Sequence, residues 1–342
     1  MMKSKRRNFI KQSGYMLAGG ALSSSFLSAC SSKTLPTAEK TMTTMKPMVE
    51  VPKGPLPDSM YSISLAEWSY HKALFAKEFT NLDFAQKTRE LDIDGMEYVN
   101  QFFKDKAEDT NYLNQLNQRA ADHGVTQVLI MIDGEGGLGS LKDKERMEAV
   151  EKHYRWVNAA KYLGCHSIRV NAFGVGKREE VAAAAVDGLG KLSEYAAKEN
   201  LNVIVENHGG WSSDGKWLSG VMAQVGMDNC GTLPDFGNFC VERENGQPWG
   251  SPCINEYDRY QGVKELMPYA KAVSAKANEF DANGNETKTD FMKMMKIVKD
   301  NGYDSFVGIE YEGQNLSEKE GIIATRDLLL KTGWAMHEMN KM

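Results

Sequence analysis

From about residue 60 to its end, the chain alternates between short apolar runs and longer segments with helical periodicity. Eight runs are hydrophobic and lack regular polar alternation, and most are rich in β-branched residues: YSISLAEW, DGMEYV, TQVLIMI, HSIRVNAF, NVIVENH, CGTLPDF, AKAVSAKA and SFVGIEYEG. Runs of this length and character are typical of strands that are buried on both faces, as in a parallel sheet. The sequence therefore predicts eight buried strands.

Amphipathic helical segments separate these runs. Apolar side chains recur every three or four residues in three of them, at Met147, Val150, Tyr154 and Val157, at Val181, Ala185, Leu189 and Leu192, and at Phe291, Met294, Met295 and Val298. Eight strands that alternate with helices predict an α/β fold, a single-domain (β/α)8 TIM barrel over residues 60–342. A doubly wound open sheet is the alternative, but no glycine-rich phosphate-binding fingerprint follows the first strand.

The first 59 residues lack this pattern. Residues 1–30 combine Arg6 and Arg7 with a short apolar stretch and the sequence LSAC, which ends at Cys30. This segment resembles a twin-arginine export signal with a lipoprotein cleavage box, in which Cys30 is lipidated. A plain membrane anchor and a chance basic start are the alternatives. Residues 31–59 are rich in Thr, Ser, Lys and Pro, which predicts a disordered tether, with an ordered N-terminal arm as the alternative. We expect an exported protein of the cell envelope or periplasm, attached to the membrane only through Cys30.

Charge and cysteine content narrow the functional classes. The chain has 41 Lys and Arg against 46 Asp and Glu, and loss of the five positive residues of the signal leaves a net charge of −10. A protein this acidic repels phosphate groups, so we expect no nucleic-acid partner. The four cysteines beyond Cys30 form no C-x-x-C pair, which argues against a zinc knuckle. Cys240 and Cys253 either form a disulfide or remain free thiols.

Polar residues concentrate where the predicted strands end, and in a TIM barrel that end carries the active site. The candidates are Trp68 and His71 after the first strand, Glu97 on the second, Arg169 and Asn171 on the fourth, Glu206 and His208 on the fifth, Asp235 and Asn238 on the sixth, Lys276 on the seventh and Glu310 on the eighth. Unpaired buried carboxylates are costly, so their convergence predicts a cation, a basic partner or shared protons. The long polar stretch 241–261 predicts a lid or rim over the barrel mouth.

Five of these stretches, DGMEYVNQFF, SIRVNAFG, VIVENHGG, LPDFGNF and VGIEYEG, resemble the xylose-isomerase-like barrels of the sugar phosphate isomerase/epimerase family. The resemblance implies a divalent metal, Mn²⁺ or Mg²⁺, held by Glu206, Asp235 and Glu310. The family pattern has His where this chain has Asn238 and Ser274. Three alternatives follow: His208 replaces a ligand, three oxygens and water hold the metal weakly, or Lys276 makes the site metal-free.

The resemblance also implies a carbohydrate isomerase or epimerase that abstracts a proton next to a carbonyl, with Glu206, Glu310 and His208 as catalytic candidates. The residues expected to bind the sugar are Trp68, His71, Glu97, Arg169, Asn171, Asn238 and Lys276. Export favours an unphosphorylated or oxidised sugar. A keto-sugar (3-keto-glycoside) lyase or hydratase and a non-catalytic sugar-binding lipoprotein are alternatives. Six histidines and an acidic chain disfavour the related endonucleases.

Overall fold

The structure is a computed structural model that describes residues 54–57 and 60–341. The predicted signal at 1–30 with Cys30, and most of the predicted tether at 31–59, lie outside the described residues. The strands are β1 (Ser62–Ala66), β2 (Gly95–Val99), β3 (Thr126–Met131), β4 (Ser167–Val170), β5 (Asn202–Glu206), β6 (Cys230–Leu233), β7 (Cys240–Arg243), β8 (Cys253–Glu256), β9 (Val273–Ala277) and β10 (Phe306–Tyr311).

Helices follow the strands in chain order. They are α1 (His71–Phe75), α2 (Phe84–Arg89), α3 (Thr110–His123), α4 (Asp143–Leu163), α5 (Arg178–Ala197), α6 (Gly215–Val225), α7 (Arg259–Leu266), α8 (Phe291–Asp300) and α9 (Glu318–Met339), with short 3₁₀ turns between them. The predicted apolar stripes of α5 and α8 are buried in full, because they face the sheet. No helix in the described ranges has the length and apolar character needed to span a bilayer.

Eight strands form one parallel sheet in the order β6-β5-β4-β3-β2-β1-β10-β9. Sheet neighbours are consecutive strands of the chain except where β1 pairs with β10, which closes the circle of strands, so the order does not reverse at a switch point as it does in a doubly wound sheet. The sheet curls until its two ends meet, through parallel bridges that pair Thr232 with Ala270 and Asp235 with Ser274. The prediction of a TIM-barrel-like α/β fold is confirmed, and all eight predicted runs form its strands.

The strands are apolar because both of their faces are covered. Every residue of β2, β4, β6 and β9 is buried. The outer faces pack against the helices, whereas side chains such as Leu129, Met131 and Ile204 form a separate cluster. This packing makes the barrel a solid scaffold and brings the carboxyl ends of the strands together at one mouth.

The predicted rim contains an antiparallel hairpin rather than an unstructured loop. Strands β7 and β8 pair with each other outside the main sheet, and a disulfide links Cys240 to Cys253 near their ends. The last residues of the predicted stretch belong to α7, whose first turn Asp258 caps by accepting from the Gln261 backbone N–H. Cys165 and Cys230 are buried free thiols.

Candidate active site

Three carboxylates from three strands meet at the barrel mouth. Glu206 ends β5, Asp235 follows β6, and Glu310 lies in β10. Each offers an oxygen to a cluster whose atoms all lie within 4.8 Å of one another, and all three side chains are buried. The chain positions are far apart, so their meeting is a consequence of barrel closure. The bridge between Asp235 and Ser274 joins the two ends of the sheet at this point.

Two buried cations partly neutralise the cluster. The Arg169 Nε atom lies 2.9 Å from Glu206 Oε2, and its Nη1 donates to Asp133 Oδ1 at 2.8 Å. The Lys276 Nζ atom lies 3.2 Å from Glu310 Oε1 and 3.0 Å from Glu312 Oε2. The Arg169 and Glu206 atoms are close without the alignment of a hydrogen bond, so Glu206 Oε2 has no hydrogen-bond donor within the described chain.

Acidic groups outnumber cations around this mouth. The interacting carboxylates are Glu97, Asp133, Glu206, Asp235, Glu310 and Glu312, and the cations are Arg169 and Lys276. Six carboxylates against two cations leave four negative charges uncompensated if every group is ionised. Because buried charge is costly, the site must take up protons or a cation.

Ser274 occupies the position where the family pattern has His. Its hydroxyl lies 2.6 Å from Asp235 Oδ2 and 3.1 Å from Glu310 Oε2. A serine hydroxyl has one hydrogen to donate but can also accept. Both contacts are satisfied at once when one of the two carboxyls is protonated.

Asn238 replaces the second expected His and serves as a donor. Its side-chain Nδ2 donates to Glu206 Oε1 at 2.9 Å, and its backbone N–H donates to Asp235 Oδ1 at 2.8 Å. Asn207 anchors the same loop by donating to the carbonyls of Asp235 and Asn238. These amides hold two carboxylates in place and occupy part of their lone-pair capacity.

Burial raises the pKa values of the three carboxyl groups toward neutrality. Desolvation raises the pKa of Glu206 to about 7 and that of Asp235 to about 6, and it also raises the pKa of Glu310. Burial acts against Lys276, yet Glu310 and Glu312 raise its pKa well above the ordinary value, so it stays an ammonium. Groups with pKa values near neutrality are suited to exchange protons with a substrate.

His208 belongs to a separate hydrogen-bond chain. Asn171 Nδ2 donates to Asp133 Oδ1 at 2.7 Å, which leaves Asn171 Oδ1 as an acceptor 2.8 Å from His208 Nδ1. The imidazole therefore donates through Nδ1 and keeps its lone pair on Nε2. Burial, reinforced by Arg169, lowers the pKa of His208 to about 3, so the ring is neutral. His208 is not part of the metal-compatible cluster found among the described residues.

Glu97 is the most isolated carboxyl of the group. Ser64 donates to its Oε1 at 2.5 Å, and its Oε2 has no partner in the part of the chain that the structure describes. A Cβ at Gly308 would approach the Glu97 carboxylate to 2.4 Å, so any larger residue there would displace this carboxylate. Desolvation raises the pKa of Glu97 to about 8, which indicates a neutral carboxylic acid at pH 7.

A cavity of about 630 Å³ opens above the cluster. The predicted site residues that line it are Trp68, Arg169, Asn171, His208 and Glu310. The predicted residues outside its lining are His71, Glu97, Glu206, Asp235, Asn238 and Lys276. His71 stacks on Trp68 with ring centroids 5.0 Å apart, and Trp68 Nε1 donates to Glu312. His71 therefore contacts Trp68, which lines the cavity, but does not line the cavity itself.

Sequence reasoning missed Asp133 and Phe173 as lining residues. Asp133 follows β3 in the same way that His208 follows β5, so the rule of polar strand ends would have found it. Although burial raises the pKa of Asp133, Arg169 holds it at about 2, so this group is an anion that fixes Arg169 and Asn171. Phe173 carries no such signal because an aromatic residue after a strand is usually core.

The hairpin contributes one wall of the cavity through Trp249. Its ring lies 5.1 Å from the His208 ring and 6.4 Å from the Phe173 ring, measured between centroids. Trp249 is 47% exposed, so it covers the mouth only in part. The disulfide between Cys240 and Cys253 limits how far this hairpin can open.

Comparison with known proteins places this site in a familiar scaffold. Residues 85–332 match the family model described as xylose isomerase-like TIM barrel. A sequence search of curated proteins found no match.

Solved structures with the same fold include three enzymes or enzyme-like proteins at low identity. A xylose isomerase-like TIM barrel protein from Mycobacterium smegmatis in complex with magnesium has a TM-score of 0.60 and 13% identity, covering 81% of this chain and 98% of that one. The 3-keto-D-glucoside 4-epimerase of E. coli has a TM-score of 0.59 and 14% identity, covering 80% of this chain and 99% of that one. A probable 3-DHS dehydratase from Bacillus anthracis has a TM-score of 0.56 and 16% identity, covering 78% of this chain and 98% of that one. At these identities the similarity concerns the fold.

Proposed function

Because the chain belongs to the xylose isomerase-like TIM barrel family, we propose that it is a carbohydrate isomerase or epimerase. It would abstract a proton next to a sugar carbonyl with the assistance of a divalent cation. The observation that carries this proposal is the cluster of Glu206, Asp235 and Glu310, three buried carboxylates from separate strands, of which Glu310 lines the cavity. No core needs such a group, because each buried carboxylate costs free energy.

The residues present fit a divalent cation. Glu206, Asp235 and Glu310 supply only oxygen, which Mg²⁺ and Mn²⁺ prefer. Glu206 Oε2 lies 2.9 Å from Arg169 Nε but accepts no hydrogen bond within the described chain. The excess of carboxylates over cations also favours added positive charge. When bound, the cation would polarise the carbonyl oxygen of the sugar and so acidify the neighbouring C–H. The similar protein from Mycobacterium smegmatis carries magnesium.

The chain's own residues supply the proton transfers. Glu310 lines the cavity, and its raised pKa makes it a stronger base than an exposed carboxylate. Glu206, with a pKa of about 7, is the second acid or base, which returns the proton at another carbon or on the other face. Lys276 holds Glu310 through a 3.2 Å ion pair. Arg169 and the neutral His208 face polar substituents of the sugar, and Trp68 packs against its ring.

A keto-sugar lyase or hydratase is the second candidate, favoured by the position of His208. It lines the same cavity as Glu310 but belongs to the hydrogen-bond chain of Asn171 and Asp133. Elimination requires a base that removes the proton beside the carbonyl and an acid that protonates the leaving oxygen when the C–O bond breaks. His208, which is neutral and has a lone pair on Nε2, would be the base that takes the proton beside the carbonyl, and Glu310 in its protonated form would be the acid that donates to the leaving oxygen. The similar structures include a dehydratase and an enzyme of 3-keto-glucosides.

We further propose that the protein works outside the cytoplasm, held to the membrane by lipid at Cys30, with a small carbohydrate as its ligand and no nucleic acid. The disulfide between Cys240 and Cys253 supports an oxidising compartment, where such bonds persist. Labelling of cells with a lipid precursor tests the anchor: wild type should incorporate label, and Cys30→Ala should not.

Hydrogen exchange in D₂O tests the proposed chemistry. The mature protein is incubated with a panel of ketoses and 3-keto-glucosides, with Mn²⁺ or with a chelator, and followed by NMR. Deuterium should enter the carbon next to the carbonyl in the presence of Mn²⁺, and Glu310→Gln should lower the rate by about 10²–10⁴-fold. The exposed Glu338→Gln serves as the matched control.

The outcomes separate the candidates. Exchange with a new sugar isomer supports the isomerase or epimerase, whereas an unsaturated ketone that absorbs in the ultraviolet supports the lyase. Absence of exchange across the panel, with sugar affinity unchanged in Glu310→Gln, would refute the enzymatic proposal in favour of a sugar-binding lipoprotein.

A further inference from the structure

A second cavity of about 370 Å³ adjoins the candidate active site. The two share Phe173 as a common wall. Chain neighbours are divided between them: His208 lines the first and Gly209 the second, while Trp249 lines the first and Pro248 the second. Small-molecule pockets span about 300–1,000 Å³, so each cavity is large enough for a sugar ring. The pair therefore offers two adjacent compartments separated by Phe173 and Trp249.

The lining of the second cavity combines an aromatic surface with unused polar groups. Trp211 is half-buried there, with Arg178 against its ring at 5.8 Å and its Nε1 donating to the Gly176 carbonyl. Glu242 and Asn255 are exposed, and neither side chain has a hydrogen bond or ion pair within the described part of the chain. An aromatic face with a few free carboxylate and amide groups matches the apolar C–H face and the hydroxyls of a sugar.

The lining of this cavity holds one carboxylate and one guanidinium. The Arg243 guanidinium is committed to the hairpin, where it donates to the carbonyls of Pro248 at 2.8 Å and Ser251 at 2.7 Å. Glu242 places a carboxylate in the lining. Backbone carbonyls do not neutralise the guanidinium, so Glu242 and Arg243 leave the lining without a net charge that would favour an ionic ligand. An uncharged, hydroxyl-rich group fits the lining better.

We infer that the second cavity binds an uncharged sugar residue attached to the one held in the first, so that the substrate class is a glycoside or disaccharide rather than a free monosaccharide. This inference rests on the proposed function of the first cavity. The disulfide-linked hairpin contributes to both cavities. It supplies Trp249 to the first, and Pro248, Glu242 and Asn255 to the second.

Calorimetric titration of the mature protein tests the inference. The probes are ketose-containing disaccharides and the matching free ketoses, in the presence of Mn²⁺. At least one disaccharide should bind about tenfold tighter than its free ketose, as expected for one or two added hydrogen bonds and a stacked ring. Glu242→Gln and Asn255→Ala should each weaken disaccharide binding by about three- to tenfold and leave free-ketose binding within about twofold.

Glu244→Gln is the matched control, because Glu244 is exposed on the same hairpin and lines neither cavity. Variants that shift both probes equally, or disaccharides that bind no tighter than free ketoses, overturn the inference. If free ketoses still exchange in D₂O in that case, the proposed function survives and only the second compartment fails. Loss of all sugar binding and exchange overturns both.

Discussion

The buried ammonium of Lys276 offers the most direct test of the electrostatics of the carboxylate cluster. It lies 3.2 Å from Glu310 Oε1 and 3.0 Å from Glu312 Oε2, and the side chain is 5% exposed. Its aliphatic stem packs on Gly237, where a Cβ would come within 3.0 Å of it. Lys276→Met keeps that stem and removes only the charge. The variant leaves the carboxylates facing one cation, Arg169.

Removal of one partner from a buried ion pair costs about 3–5 kcal/mol of unfolding free energy. The raised pKa of Lys276 means that its contribution is fully present below its ordinary value of 10.5 and is lost only as pH rises beyond that. The pH dependence of the deficit therefore comes from the carboxylates. Without the ammonium, the pKa values of Glu206 and Asp235 rise above about 7 and 6. Protonation then relieves the repulsion, so the deficit should be largest near pH 8 and smaller near pH 5.

Urea unfolding followed by circular dichroism, with a chelator present, measures the deficit. The exposed Lys264→Met on α7 is the matched control and should change stability by less than about 0.5 kcal/mol. Mn²⁺ should restore more stability to Lys276→Met than to wild type, because the cation replaces the missing charge. A deficit below about 1 kcal/mol, or one that is equal at both pH values, would show that Lys276 does not neutralise the cluster.

Three further predictions test other parts of the site. Glu97 has a raised pKa of about 8, so wild-type stability should fall as pH rises from about 4.5 to 8; Glu97→Gln should flatten that profile and gain about 2–4 kcal/mol at pH 8 in urea unfolding, and an unchanged slope contradicts the assignment. If the lyase candidate holds and His208 is its base, His208→Gln should slow exchange by about 10²–10⁴-fold, whereas an effect on KM alone would limit His208 to binding the sugar, as in the isomerase scheme. Cys240→Ser with Cys253→Ser removes a cross-link between positions 13 apart in the chain, which should cost up to about 3 kcal/mol and make the hairpin sensitive to protease. Wild-type resistance in the double variant would show that the disulfide does not restrain the hairpin.

The strands and the polar positions at their ends were readable from the sequence. A strand covered on both faces must be apolar along its length. Each of the eight runs can therefore be recognised from its own residues, without knowing which strands lie beside it. A carboxylate such as Glu206 directly after such a run is costly in a core, which marks it as a candidate for chemistry. The same logic extended to Asp133 would have completed that side of the mouth.

The hairpin of β7 and β8 was not readable in this way. Its strands Cys240–Arg243 and Cys253–Glu256 are short and largely exposed, so no apolar period marks them. The pairing of Cys240 with Cys253 was one of two open alternatives, because cysteine spacing alone does not fix a bond. Trp249 reaches the cavity only through this hairpin.

What the sequence determined by itself was local: which segments are buried, and which polar groups stand at their ends. The tertiary structure decided which of these groups touch. Ser274 lies between Asp235 and Glu310 only because the curled sheet brings its two edge strands, β6 and β9, together. The pKa values of Glu206 and His208 follow from that enclosure, since desolvation and Coulomb interactions depend on distance in space and not on separation along the chain.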